Sequence, residues 1–259
     1  MFKHINKIII LSMLMIFVSA SFVLAEEYDG NLSSWDIEVL KGKSDNIHSD
    51  SEYKPDTAIV EQQKMDFQNR VTKQAADEMK QKYIDDIKKE QSTRSSYTWS
   101  DLSGISDDHG GSGIGHSTSW SGNDEFRLSA RAEGYGNYWA AGSGYVLYYP
   151  NSTGNHTLET KYSLTGRILL GGDLSVNVRI VDLNTNTELE ETVEHLTSGY
   201  YDNSLRTKSK QFYLIKDHGY QIFFEPSVSA IGTQSSDFGS KEFDGTQRKI
   251  SFVTFKMTK

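Results

Sequence analysis

Residues 174–180 read Leu-Ser-Val-Asn-Val-Arg-Ile, so that apolar and polar side chains alternate with a period of two. Successive side chains on a β-strand point to opposite faces, and this stretch therefore predicts a strand with one buried face and one polar face. The same alternation recurs at 220–224 and at 250–257, and turn-forming residues stand between such runs. The chain downstream of about residue 97 is typical of an antiparallel β domain.

The number of these runs predicts the architecture of the domain. Runs typical of strands lie around Trp120 and at 125–133, 138–149, 157–170, 173–183, 188–195, 205–216, 220–230 and 249–257. About nine strands separated by hairpin-length gaps predict a mainly β fold, an antiparallel β-sandwich of jelly-roll type over residues 93–259. A closed barrel is the alternative, because periodicity does not distinguish the two.

The preceding segment, residues 55–92, has a helical period. No glycine or further proline follows Pro55 as far as Glu90, and apolar residues recur every four positions at Phe67, Val71, Ala75, Met79, Tyr83 and Ile87. This pattern predicts one long amphipathic α-helix. Its apolar stripe needs a partner, which is either the β domain or a second copy of the helix in a self-associating coiled coil. The stripe lacks the leucine-rich heptads of a coiled coil, which favours packing on the β domain.

The first residues have the three parts of a secretory signal peptide. Lys3 and Lys7 precede an apolar run at 8–17, and small residues end in Val23-Leu24-Ala25. We therefore expect cleavage after Ala25 and a secreted, extracellular or cell-surface product without a later membrane span. Residues 26–54 are polar and rich in Asp, Ser and Gly, which is typical of a flexible leader.

Composition excludes several classes of function. Removal of residues 1–25 leaves 25 basic residues against 35 acidic ones, and this negative charge argues against a nucleic-acid partner. The chain contains no cysteine, so it has no disulfide, no thiolate metal site and no cysteine nucleophile. The β domain must therefore be stabilised by its core alone.

One glycine-rich stretch contains candidate metal ligands. Asp107, Asp108, His109 and His116 lie within ten residues, and such side chains bind divalent cations. The spacing matches no zinc motif, and the glycines between these residues are also typical of a solvated surface loop. The sequence predicts no cofactor, although calcium binding through Asp173, Asp237 or Asp244 is conceivable.

Aromatic residues cluster on the predicted strands. Where two consecutive strand residues are aromatic, one must point to each face, so we expect some exposed rings. Exposed rings beside polar groups are typical of sugar-binding surfaces, because a ring stacks on the apolar face of a pyranose. The candidate ligand-binding residues are Tyr138, Trp139, Tyr148, Tyr149, Tyr200 and Tyr201.

Catalysis has little support in the sequence. There is no Gly-x-Ser-x-Gly elbow, and no histidine has an evident serine partner. The leading hypothesis is a secreted, non-catalytic binding or surface-interaction module that recognises a glycan or cell-envelope component. The alternative is a structural envelope or matrix protein that forms homo-oligomers through the 55–90 helix. A hydrolase and a hairpin-inserting toxin are disfavoured, the latter because residues 95–121 lack alternating apolar side chains.

Overall fold

A computed structural model describes residues 57–78, 87, 89, 91, 96–242 and 244–259. The predicted signal peptide (1–25) and leader (26–54) lie outside the described residues. The described elements are α1 (Thr57–Glu78), β1 (Ser96–Trp99), β2 (Ser103–Gly122), β3 (Glu125–Tyr148), β4 (Gly154–Leu169), β5 (Asp173–Asp182), β6 (Glu188–Leu196), β7 (Gly199–Leu214), β8 (Tyr220–Ile231), β9 (Ser235–Phe238) and β10 (Lys249–Thr258). Among these elements, no helix combines the length and the hydrophobicity that crossing a bilayer requires.

The strands form two antiparallel layers. One layer, the helix-side sheet, contains β2, β3, β8, β5 and β6 in that spatial order. The other layer, the far sheet, contains β1, β10, β4 and β7. Strand β9 pairs with both β3 and β4 and joins the two layers. The predicted mainly β sandwich with one preceding helix is confirmed, and the strands missed in sequence are β1, β9 and most of β2.

The core lies between the two sheets and follows the alternation read in the sequence. Val176 and Val178 of β5 are fully buried in it, together with Phe224 of β8. The ring of Phe224 lies 5.8 Å from that of Tyr162 and 6.3 Å from that of Phe255, both of the far sheet. Contacts between rings of opposite sheets show that the layers pack face to face, as in a β-sandwich.

Helix α1 packs on the outer face of the helix-side sheet. The buried helix residues Val60, Phe67, Val71 and Ala75 form a second cluster with Trp139, Tyr145, Leu147, Val181 and Phe223 of the sheet. These strand residues alternate with core residues such as Val146 and Phe224. The apolar stripe of the helix is therefore buried on the β domain, while Met79 and Tyr83 of the predicted stripe lie outside the described residues.

Residues 107–116 are part of strand β2, so the prediction of a surface loop is wrong. The first half of β2 pairs with 137–145 of β3, and its second half pairs with 125–133. A straight strand would separate His109 from Ser119 by about 33 Å. Instead, the His109 Nδ1 atom lies 2.9 Å from the Ser119 hydroxyl, and the Ser121 hydroxyl donates to Asp107 at 2.6 Å. The β2–β3 ribbon therefore folds back on itself.

The glycines of this ribbon allow the sharp fold. Gly113 adopts a φ of 86°, which favours glycine, and a Cβ on Gly136 would lie 1.9 Å from the carbonyl oxygen of Ile114. The ring of Tyr138 covers Gly111 and Gly115, and its hydroxyl donates to the Gly113 carbonyl oxygen at 2.7 Å. The missing side chains make room for a backbone corner and an aromatic ring.

We expect Gly136→Ala to lower the free energy of unfolding by about 1–3 kcal/mol or more, because the added methyl group overlaps backbone rather than a mobile side chain. Gly122→Ala is the matched control on the same ribbon, since its nearest contacts are with the Trp120 ring at 3.2 Å. The control should change stability by about 0.5 kcal/mol or less. Denaturant unfolding of both variants measures the difference, and equal stability would contradict this account of the corner.

A buried carboxylate holds the loop between β9 and β10. Asp237 Oδ1 accepts hydrogen bonds from the backbone nitrogens of Gly239 and Ser240, and Oδ2 accepts from the Ser240 hydroxyl and from Arg248. A second guanidinium, that of Arg167, lies 3.5 Å from Oδ2. Burial pushes the pKa of Asp237 up, but Arg248 and the hydrogen bonds from Ser240 outweigh it and hold the pKa below its usual range.

Because the folded state lowers this pKa, the stabilisation by Asp237 is present above the unfolded pKa of about 3.9 and is lost as the pH falls further. Asp237→Asn should lower the free energy of unfolding at pH 7 by about 3–5 kcal/mol and flatten its acid dependence. Asp202→Asn, at an exposed position of β7, is the control. Unfolding curves between pH 7 and pH 3 test this, and an unchanged pH profile in Asp237→Asn would refute it.

Candidate functional site

Three of the six candidate aromatic residues are buried. Trp139, Tyr148 and Tyr149 expose 1%, 8% and 6% of their surface. Trp139 points to α1, whereas Tyr148 points into the core, where burial raises its pKa to about 12. We expected one ring of a consecutive pair to reach solvent, but α1 covers Trp139 and the Tyr149 ring packs against Gly219. Burial therefore excludes these three rings from an exposed sugar-binding platform.

The other three candidates do not form a common surface. Tyr138 fills the corner of the β2–β3 ribbon. Tyr201 stacks on Phe238 at 5.9 Å and donates a hydrogen bond from its hydroxyl to the Ser198 carbonyl oxygen at 2.7 Å. Tyr200 is 51% exposed and lies on β7 opposite Arg167. Of the six, Tyr200 is the one that exposes about half of its side chain.

The four candidate metal ligands separate along the folded strand. Asp107 binds the Ser121 hydroxyl, Asp108 forms an ion pair with Arg70 at 2.7 Å, and His116 lies on the other arm of β2. In the described part of the chain, no three His, Asp or Glu side chains form a group that could hold a metal ion.

The three aspartates considered for calcium also have local partners. Asp237 is enclosed by Arg248 and the following loop, and Asp173 accepts a hydrogen bond from the Ser229 hydroxyl at 2.7 Å. Asp244 accepts from the Thr246 nitrogen within its own turn. These contacts give each carboxylate a structural role.

One histidine has a serine partner, so the prediction of none was wrong. The contact joins the two arms of β2, His109 Nδ1 and Ser119 Oγ, at 2.9 Å. Asp107, two residues from His109, is bonded to Ser121. Nucleophilic catalysis needs a third group that orients the imidazole, and the described contacts of Asp107 give it a different role.

A groove of about 240 Å³ lies between α1 and the helix-side sheet. The helix contributes Glu61, Lys64 and Gln68 to its polar lining, together with Met65 and Phe67. The sheet contributes Ser175 and Asn177 of β5, Glu225 and Ser227 of β8, and Trp139 and Ala141 of β3. The groove is therefore lined by one helix and three adjacent strands.

Strand register places the polar groups side by side. Ser175 lies opposite Ser227, and Asn177 lies opposite Glu225, across the β5–β8 ladder. Residues directly opposite in an antiparallel pair share a face of the sheet. Two strand pairs therefore supply a compact row of hydroxyl, amide and carboxylate groups next to the helix.

A buried ion pair fixes the floor of this groove. Arg179 is 2% exposed, and its Nη2 and Nε atoms donate to Glu225 at 2.7 and 3.1 Å. Its Nη1 atom also donates to the Thr72 hydroxyl of α1 at 2.8 Å, and its guanidinium lies 4.3 Å from the centre of the Phe223 ring. Arg179 thus links the helix to two strands and gives Glu225 a charged partner.

Asn177 carries an unsatisfied acceptor at the groove. Its Nδ2 atom donates to Glu190 Oε1 at 2.8 Å, whereas its Oδ1 atom has no hydrogen-bond partner in the described part of the chain. Burial, followed by the Glu225 carboxylate, raises the pKa of Glu190 against the opposing effect of Arg179. The polar lining of the groove is thus made of hydroxyl, amide and carboxylate groups, and the Asn177 amide is tied to Glu190.

Sequence reasoning missed every residue of this groove except Trp139. The alternation at 174–180 predicted that Ser175, Asn177 and Arg179 share the polar face of one strand. This alternation is the feature of the sequence that places them on a common surface. Nothing in the pattern of 220–230 indicates that Glu225 lies opposite Asn177, because that neighbourhood arises from strand register.

We expect Arg179→Met to lower the free energy of unfolding by about 3–5 kcal/mol, because Glu225 is then buried without a cation. The double variant Arg179→Met/Glu225→Gln should recover a large part of this loss, since it removes both charges. Denaturant unfolding of the single and double variants forms a mutant cycle. If the double variant is as unstable as the single one, the ion pair is not the contact that holds the groove.

No family model and no curated protein matches this chain. Among solved structures, it is similar to TmCBM61 in complex with β-1,4-galactotriose (11% identity, 59% of this chain, 88% of that chain, TM-score 0.29). It is also similar to a family 35 carbohydrate-binding module from Clostridium thermocellum (9% identity, 63% and 98%, TM-score 0.29). A third is the enzymatically active domain of bacteriophage CBA120 tailspike protein 4 (7% identity, 59% of this chain, TM-score 0.27), of which the chain spans 19%. Likeness at this distance carries no argument about function.

Proposed function

We propose that this chain is an exported, non-catalytic module that binds a glycan in the groove between α1 and the helix-side sheet. The observation that carries the proposal is the row of polar side chains that the β5–β8 register aligns along the groove. Export is supported by the three-part signal sequence at residues 1–25.

The chemistry of the groove suits a sugar. Glycans are recognised through hydroxyl groups, which both donate and accept hydrogen bonds, and Ser175, Ser227 and Asn177 offer the complementary groups. Met65, which is about half exposed, and Ala141 add an apolar part to the same lining, against which the C–H face of a pyranose can pack. A combination of apolar walls and a few convergent polar groups is the usual composition of a small-ligand site.

The arrangement suits binding better than hydrolysis. Its volume of about 240 Å³ lies below the 300–1,000 Å³ typical of ligand pockets, which fits contact with a short section of a polymer. The buried carboxylate of the floor, Glu225, is held by two hydrogen bonds from Arg179. Glycoside cleavage requires two carboxyl groups at a defined separation, whereas the hydrogen bonds from Arg179 occupy the Glu225 carboxylate.

Asn177→Ala should weaken glycan binding by about tenfold, because it removes an acceptor and a donor at the groove. The test is a screen of the mature chain on a glycan array, followed by calorimetry with each hit. Asn155→Ala is the matched control, since Asn155 is exposed on β4 of the far sheet. Equal losses in both variants would place the glycan elsewhere, and failure to bind any glycan would contradict the proposal.

The self-associating alternative is disfavoured by the packing of α1. Val60, Phe67, Val71 and Ala75, which a coiled coil would need, are buried against the sheet. Sedimentation of the mature chain distinguishes the two functions, because a concentration-dependent dimer would restore the alternative.

A further inference from the structure

We infer that the glycan bound in this groove carries protonated amino groups, as in a polymer of unacetylated hexosamine. This inference rests on the proposed function and concerns the charge of the ligand. The observation behind it is a surplus of carboxylates around the groove. Each cation has a carboxylate partner, but some carboxylates have no cation of their own.

Each lysine or arginine bordering the groove is engaged by a carboxylate. Lys64 lies 3.1 Å from Glu61, and Arg70 lies 2.7 Å from Asp108, which shares the outer face with Ala141. Arg179 is held by Glu225 at 2.7 Å. An anionic sugar such as a uronate would have to break one of these pairs before it met a free cation.

Carboxylates remain after these pairs are counted. Asp173 accepts a hydrogen bond from Ser229 and has no ion pair among the described residues. Glu190 accepts one from Asn177 and shares Arg179, its neighbour across the β5–β6 ladder, with Glu225. Both belong to the outer face of the helix-side sheet, since Asp173 precedes Ser175 by two residues on β5 and Glu190 lies opposite Arg179 on β6. Glu188 adds a further negative charge, because it only shares Arg179 at 3.5 Å.

The hydrogen-bonding capacity has the same bias as the charge. The Glu190 and Asp173 carboxylates each accept one hydrogen bond from a side chain, from Asn177 and Ser229, and each retains further acceptor positions. An ammonium group has three donors and no acceptor, so it matches this surplus. An N-acetylated sugar replaces those donors with one amide N–H and adds a carbonyl acceptor.

The test compares oligosaccharides of one length by calorimetry: glucosamine oligomers, N-acetylglucosamine oligomers and oligogalacturonates. We expect the glucosamine oligomer to bind at least about fivefold more tightly than its acetylated counterpart at low salt, with a smaller difference at high salt. Glu190→Gln should weaken glucosamine binding about two- to fivefold and leave the acetylated oligomer unaffected.

One control separates binding in the groove from general attraction to an acidic protein. Glu159→Gln removes one carboxylate from β4 of the far sheet, paired there with Lys161 at 3.5 Å, and it should leave glucosamine binding unchanged. An equal loss in both variants would overturn the inference. Tighter binding of the acetylated or the anionic oligomer would overturn it as well but leave the proposed function intact, whereas binding of no glycan at all would overturn both.

Discussion

The packing of α1 across the helix-side sheet gives the strands in the middle of that sheet two buried faces. Odd and even positions of β3 and β8 then meet different partners, so that Val146 and Phe224 enter the core while Tyr145 and Phe223 meet the helix. Arg179 lies within this second interface and is ion-paired there rather than solvated. A change in strand register by one residue would exchange the two sets, and the groove would disappear with them.

The second constraint is the fold of the β2–β3 ribbon, which joins the sheets along one edge. Its two arms come close enough for Ser117 to donate to the Gly110 carbonyl oxygen at 3.0 Å. Only small residues fit at that separation, which explains a strand composed largely of glycine and serine. The close contact also gives the polar side chains of this edge partners within the same strand, as for Asp107 and Ser121. A composition that is usually associated with loops is here a requirement of the sandwich corner.

The sequence was informative wherever alternation reflects a buried core, and it predicted strands β3 to β8 and β10 for that reason. It was less informative where a second layer covers the polar positions. The alternation at 174–180 correctly placed Asn177 and Arg179 on one face. A period of two does not show, however, whether a polar side chain on that face meets water or a buried carboxylate. At β2, the glycines carry no side chain and therefore no hydrophobic pattern, so most of this 20-residue strand was missed and residues 107–116 were interpreted as a loop. The groove could not be predicted because it depends on the register between β5 and β8.

The groove lies beside α1 on the outer face of the helix-side sheet. The row of Tyr145, Phe223 and Arg179 lies under the helix, and the next two rows of the β5–β8 ladder pair Asn177 with Glu225 and Ser175 with Ser227. These polar side chains line the groove together with Trp139, which packs on the helix. The groups of the groove are therefore held by strands and by a packed helix rather than by loops. A ligand that binds there would therefore meet a surface that is already ordered, and it would spend little free energy on organising the site.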